Sequence, residues 1–157
     1  MITLKQVHSK ADLKRFVLFP FELYKDSPYW VPPIIKDELA FFNTEKNPVF
    51  EHAEASFFLA YKEGKIVGRI AAIINWLEVE EQGLKKMRFG WFDFIDDPEV
   101  SKTLLDQVAT IGKQHQLEYI EGPVGFSNLD KAGVLTEGFQ HIGNMITWYN
   151  YTYYASH

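Results

Sequence analysis

Few residues in this chain combine the type and the setting that chemistry needs. Asp93 sits in a largely apolar run, Met87 to Ile95, where it alternates with Trp91 and Ile95 and so shares their face. A carboxylate there either faces solvent on a wet sheet face or belongs to a site. Arg69 lies in a second apolar run, Lys65 to Ile74, and can bind an anion or pair with a neighbouring carboxylate while burying its stem. Glu51-His52-Ala53-Glu54 is the one histidine–carboxylate cluster. It lacks a second histidine at ligand spacing, so it reads as a surface or hydrogen-bonded histidine and no metal site is expected. Gly125-Phe-Ser127-Asn-Leu129 has the outline of a nucleophile elbow without its second glycine or a supporting His/Asp order, which sets a hydrolase aside. No glycine-rich phosphate-binding motif is present.

Composition narrows the field further. A chain of 157 residues is long enough for one domain with a real core, and 46% hydrophobic against 24% charged residues is a globular balance. A net charge of −5 with no Lys/Arg run argues against nucleic acid as a partner. The small basic spot at Lys85, Lys86 and Arg88 reads as the solvated end of a strand. The absence of cysteine excludes a disulfide framework, a Cys-ligated metal and a Cys nucleophile together. No signal-peptide core opens the chain, and the apolar run at Ile70–Ile74 is too short to span a bilayer, so a cytoplasmic protein without a membrane partner is expected.

These residues need elements to hold them. Residues Ile2 to Val7 alternate as a short strand, and Ser9 with Asp12 is a capping start for a helix that Pro20 should break into two pieces. Asp26 to Pro33 is an extended, proline-rich loop, and a second helix covers Lys36 to Phe42. The clearest element is a hairpin: Ser56–Lys62, a Glu63-Gly64 turn, then Lys65–Ile74, with Gly68 marking a bulge or a close backbone approach. Glu78 to Gly83 reads as a polar link before the strand Met87–Ile95. Asp97, Pro98 and Glu99 start a helix whose stripe Val100, Leu104, Leu105, Val108 and Ile111 lies on the sheet. A strand over Leu117–Glu121 follows, then a short helix over Ala132–Phe139 and a final strand over Asn144–Asn150.

The order strand, kinked helix pair, long hairpin, strand, amphipathic helix, strand resembles that of the GNAT superfamily of acyl-CoA-dependent N-acetyltransferases. Several strings resemble a poorly characterised bacterial GNAT-like group: Ser27-Pro-Tyr-Trp-Val-Pro-Pro33, Asn47-Pro-Val-Phe-Glu-His52, Val67-Gly-Arg-Ile-Ala-Ala72, Gly122-Pro-Val-Gly-Phe-Ser127, Glu137-Gly-Phe139 and Tyr149-Asn-Tyr-Thr-Tyr-Tyr154. The resemblance covers nearly the whole chain. It implies a single α/β domain over residues 1–157, with a mixed, mostly antiparallel sheet, helices on both faces and some C-terminal strands missing.

The resemblance also implies an acetyl-CoA or other acyl-CoA site and an amine acceptor, a small molecule or a peptide. The pantetheine arm would lie between splayed strands, against Phe94 and Ile95, with Asn128 meeting its amides. The pyrophosphate would rest on the helix start at Val100, Ser101 and Lys102. Asn128 in its plainer reading makes an ordinary Asx turn after Ser127. Acyl transfer asks for a base and an acid near the thioester. Asp93, Glu137 and Tyr149 are the residues that the resemblance puts forward for those roles. Each also has a plainer reading: Asp93 on a wet face, Glu137 in an exposed turn, Tyr149 in a packing strip. One departure stands out. Where the family carries a glycine-rich loop, this chain has Asp96-Asp-Pro-Glu99, with three carboxylates and a proline that removes a donor. A non-catalytic module that kept the scaffold and lost CoA chemistry is therefore the second expectation. A homodimer that completes the sheet is a third.

Overall fold

The structure, a computed structural model, describes residues 1–144 and 146–157. Five strands form one sheet in sequence order: β1 (Thr3–Gln6), β2 (Ala53–Lys62), β3 (Lys65–Asn75), β4 (Lys86–Phe94) and β5 (Tyr119–Glu121). The first four are antiparallel, and β5 runs parallel to β4 after the crossover through helix α3 (Pro98–Gln114). Helices α1 (Lys10–Leu23) and α2 (Ile35–Phe41) cover the opposite face. The strand period of two sorts the hairpin between the layers. Phe58, Ala60, Ile70, Ala72 and Ile74 pack with α3 residues Val100, Leu104 and Val108, while Phe57, Leu59, Ala71 and Ile73 pack with Phe16 and Val17 of α1.

Two irregularities in this sheet matter for the site. At the first, Ala60 pairs with Gly68 and Tyr61 with Ile66, leaving Val67 as an extra residue. Gly68 is required there, because a Cβ would lie 2.9 Å from both Leu104 Cδ1 and Val100 Cγ1. At the second, Arg69 pairs with Asp93 but Ala71 with Gly90, and Trp91 takes a positive φ of 45°. This second bulge switches the alternation of β4, so Phe89 lies on the α3 side before it and Phe94 after it. Trp91 and Asp93 consequently turn together toward α1.

Several expectations change. Pro20 does not divide the first helix. It sits in the last full turn of a continuous α1, where Tyr24 N donates to Pro20 O at 2.9 Å. The carbonyl that proline leaves without its intrahelical donor is that of Phe16, and Arg69 Nη1 donates to it at 2.8 Å. The polar link is a turn of π-helix, Leu77–Glu81, that buries Glu78. Glu78 meets Arg88, which is 1% exposed, so two of the three basic residues, Lys86 and Arg88, belong to a buried ion cluster, and only Lys85 stays in solvent beside Glu118. Lys86 joins it through Glu121 at 2.7 Å and Glu78 at 3.3 Å.

No helix forms over Ala132–Phe139, where Gly133 and Gly138 take positive φ of 86° and 80°. There the Asn150 side chain accepts from Leu135 N at 2.7 Å and donates to Leu135 O at 3.1 Å, holding the segment open. Of the strand expected over Asn144–Asn150, Met145 lies outside the described residues and the others pair with no strand. No helix among the described residues is long and apolar enough to cross a membrane.

Candidate active site

β4 and β5 pair only over Lys86–Arg88 and Tyr119–Glu121. The chain then makes one more contact, Val124 N to Phe89 O at 2.8 Å, and turns across the sheet at Gly90. A Cβ on Gly90 would stand 2.5 Å from Val124 O, so the crossing depends on that glycine. Past this point the outer edge of β4 has no strand partner. Side chains take its place: Tyr154 Oη accepts from Phe94 N at 3.2 Å, and Tyr153 Oη donates to Phe94 O at 2.5 Å.

On the α1 side of the same stretch of β4 lies a cavity of about 780 Å³. Its walls come from the end of α1, the proline-rich loop, α2, β3, β4 and residues 129–131, 143–144 and 147–149. Aromatic side chains dominate them, including Trp30, Phe41, Trp91 and Trp148. Three prolines hold the loop extended, so it can form a wall without regular hydrogen bonding.

Asp93 and Arg69 form the floor. Arg69 Nε and Nη2 donate to Asp93 Oδ2 at 2.8 and 2.7 Å. Asp93 Oδ1 accepts from Tyr24 Oη at 2.8 Å and lies 3.3 Å from Tyr154 Oη. The two tyrosine hydroxyls are 2.7 Å apart. Burial, reinforced by the Asp93 charge, pushes both tyrosines well above the ordinary phenol range, so they remain protonated donors. A continuous hydrogen-bonded chain thus runs from the Phe94 amide through Tyr154 and Tyr24 to Asp93. Asp93 does not face solvent; it is buried, with Oδ2 held by Arg69 and Oδ1 covered by the two tyrosine hydroxyls.

Glu38, on α2, projects into the cavity and is half-buried. Burial raises its carboxyl above the usual carboxylate value, while Arg69, Lys131 and Trp91 pull the other way. Sequence reading missed Glu38 because α2 shows no buried stripe to orient it; an acidic residue on a helix beside a proline-rich loop looks like solvated surface. Four carboxylates (Asp37, Glu38, Asp93, Asp130) face two cations (Arg69, Lys131) around this space.

Of the other residues singled out in the sequence, Tyr149 lines the same cavity, with its hydroxyl accepting from Ser27 Oγ at 3.0 Å. Glu137 is exposed and lines no part of it. Ile95 is half-buried, and its amide donates to Val67 O at 3.0 Å. Val100 is in the core, and Ser101 Oγ lies 2.8 Å from His157 Nδ1. Lys102 points outward to Asp106 at 2.5 Å. Asn128 accepts from Arg88 Nη2 at 2.8 Å, and the turn after Ser127 is made by Ser127 and Asp130 instead.

The start of α3 is fully engaged. Asp97 N donates to Ile95 O, Glu99 N to the Asp97 side chain, and Val100 N and Ser101 N to Asp97 O. Pro98 has no N–H to offer. Asp97 also pairs with Lys62 at 2.7 Å, and Asp96 lies 3.1 Å from His157 Nε2.

No protein-family profile matches the chain. Protein YghO of Escherichia coli (strain K12) is 35% identical over 149 residues, covering 95% of this chain and 38% of that protein. A bacterial ceramide synthase of Caulobacter vibrioides is 33% identical over 138 residues, 85% of this chain and 35% of that one. The chain therefore spans little more than a third of the length of these relatives. Among solved structures, a predicted acetyltransferase of Clostridium acetobutylicum with acetyl-CoA superposes with a TM-score of 0.55 at 14% identity, over 77% of this chain and 79% of that one. The fold is that of the GNAT acyl-CoA N-acyltransferases.

Proposed function

We propose that this domain transfers an acyl group from an acyl thioester, acyl-CoA in its common form, to the nitrogen of an amine with a long apolar body. The observation that carries this reading is the cavity beneath the open edge of β4: aromatic walls and an excess of carboxylates suit an ammonium group on a hydrophobic stem. The mouth supports the same choice. Val31, Ile34 and Leu129 line the cavity and are exposed, Leu129 at 93%, with exposed Ile142 and Ile146 flanking residues that line it. Aliphatic side chains in water at a rim cost nothing once an alkyl chain lies against them. The relative named for ceramide synthesis points the same way, since a ceramide is the amide of a fatty acid with a long-chain amino alcohol.

The residues present fit part of an acyl-CoA. The Phe94 amide and carbonyl lie on the open edge of β4 and are the kind of groups that pantetheine amides pair with, once Tyr153 and Tyr154, which hold them here, are displaced. The start of α3 does not fit the pyrophosphate, because its amides have partners and carboxylates flank them. The thioester, when bound, supplies an activated carbonyl; the chain's part is to hold the amine beside it, exclude water and accept protons.

That misfit favours a second reading, a binding module that keeps the amine cavity without the transfer. A thermal-shift titration with acetyl-CoA separates the two. At about a hundred times the dissociation constant, a ligand stabilises by about 2.7 kcal/mol, a rise of a few degrees for a domain of this size. A saturable rise, followed by amide formation with octylamine, supports transfer. No rise at millimolar acetyl-CoA overturns it in favour of the binding module.

A further inference from the structure

We infer that Glu38, and not the strand aspartate Asp93, receives the ammonium group of the acceptor and takes its proton. The inference rests on the acyl-transfer reading above and deepens it. Asp93 and Glu38 both line the cavity beside its aromatic walls, and their partners differ. Asp93 Oδ2 holds two Arg69 nitrogens and Oδ1 faces the hydroxyls of Tyr24 and Tyr154, so this carboxylate is already paired with a buried cation and covered by two phenols. Moving a proton onto Asp93 would also strand the Arg69 charge among Phe16 and its neighbours. Glu38 enters the cavity from α2 across from that ion pair and carries no side-chain salt bridge among the described residues. Trp91 and Phe41 stand beside it as cavity walls, giving the ammonium a cation–π setting as well as a carboxylate.

The proton accounting is simple. One N–H bond of the ammonium breaks and its proton moves to a Glu38 oxygen, freeing the nitrogen lone pair. That pair attacks the thioester carbonyl; the C–N bond forms and the C–S bond breaks, the thiolate leaving with the electrons of that bond. The second proton lost by nitrogen ends on the thiol product. Glu38 returns its proton to water. A base works best when its proton affinity is lifted toward the working pH, and burial moves Glu38 in that direction. The titratable groups that line the cavity with it are Asp37 on α2, Tyr24 at the end of α1, Arg69 on β3, Asp93 on β4, Asp130 and Lys131 on the loop after β5, and Tyr149. Of these, Arg69 opposes the shift most, with Lys131 next, and burial outweighs both.

The experiment uses the whole chain and two probes of equal length, octylamine and octanol, followed through the fluorescence of the cavity tryptophans. Glu38→Gln should weaken octylamine binding at least tenfold and leave octanol binding unchanged, which a merely structural role would not do. In turnover with acetyl-CoA at saturating octylamine, Glu38→Gln should lose about 10²- to 10⁴-fold in kcat and lose the acidic limb of the pH profile. Glu38→Asp should recover part of both. Equal octylamine binding by wild type and Glu38→Gln overturns the inference, as does an unchanged kcat and pH profile. A wild-type chain that binds octylamine through Glu38 yet transfers no acyl group fails the acyl-transfer reading while the ammonium site stands.

Discussion

Arg69 holds three structural groups at once: the Asp93 carboxylate, the Phe16 carbonyl left open by Pro20, and the Phe16 ring 5.0 Å beneath its guanidinium. Replacing it with methionine leaves the buried Asp93 carboxylate without its cation and the Phe16 carbonyl without its donor. We expect Arg69→Met to cost about 3–5 kcal/mol in urea unfolding, and Arg69→Met/Asp93→Asn to recover part of the loss. The acid branch of stability has a clear sign. Burial alone would raise the Glu78 carboxyl, but Arg88 and Lys86 overcome it and hold it low; Lys62 and the Glu99 amide lower Asp97. Over this window the unfolded chain binds more protons than the native one, so stability rises with pH. The contribution is fully present above the ordinary value of 4.5 for Glu78 and is lost as pH falls through its depressed value. Unfolding midpoints measured from pH 7 downward should fall in that range, and Arg88→Met should flatten the Glu78 part. Glu38 carries the opposite sign: its raised carboxyl costs stability as pH rises, so Glu38→Gln should stabilise at pH 8 and not at acid pH. Asp93 was legible as an unusual residue from its apolar run alone. Its saturated partners were not, because Tyr24 and Tyr154 lie 69 and 61 residues away in sequence.

Among the elements, the hairpin and α3 were readable because their signals are local. Ser9 caps α1 by accepting from Asp12 N at 3.0 Å, and Asp97 caps α3 by accepting from Glu99 N at 3.0 Å. Ser9→Ala should cost about 1 kcal/mol in chemical unfolding. The glycine marked inside β3 proved to be both a bulge neighbour and a close approach. Gly68→Val should push α3 off the sheet and cost about 1–3 kcal/mol or more, seen as a lowered Tm. Gly90→Ala tests the divergence of β5 in the same way; its Cβ would collide with the Val124 carbonyl that crosses there. The elements that sequence reading missed lie where glycine conformation or a side-chain clamp outweighs periodicity. Pro20 was expected to break into two pieces a helix that Arg69 instead keeps whole, and a short helix was expected over Ala132–Phe139 where Asn150 holds the chain open.

At the scale of the molecule, the aliphatic rim and the aromatic cavity act as one surface, so chain length in the acceptor should matter. Ile34→Ser with Leu129→Ser should raise KM for octylamine several-fold and leave KM for ethylamine within twofold, since about 0.8 kcal/mol is at stake per methylene buried. Equal effects on both amines would mean that the rim takes no part in binding. The sequence by itself determined the antiparallel hairpin, the bulge glycine and the capped start of α3. Each of these follows from near-neighbour rules: side-chain period, turn dihedrals and capping donors act over a few residues. Only the tertiary structure decided that Asp93 is committed to Arg69 and two tyrosines, that Lys86 and Arg88 belong to a buried ion cluster around Glu78, and that Glu38 opens onto the cavity. Those outcomes depend on which distant groups share a low-dielectric space. Pair distances and burial, which no local pattern encodes, set the energies of charges there.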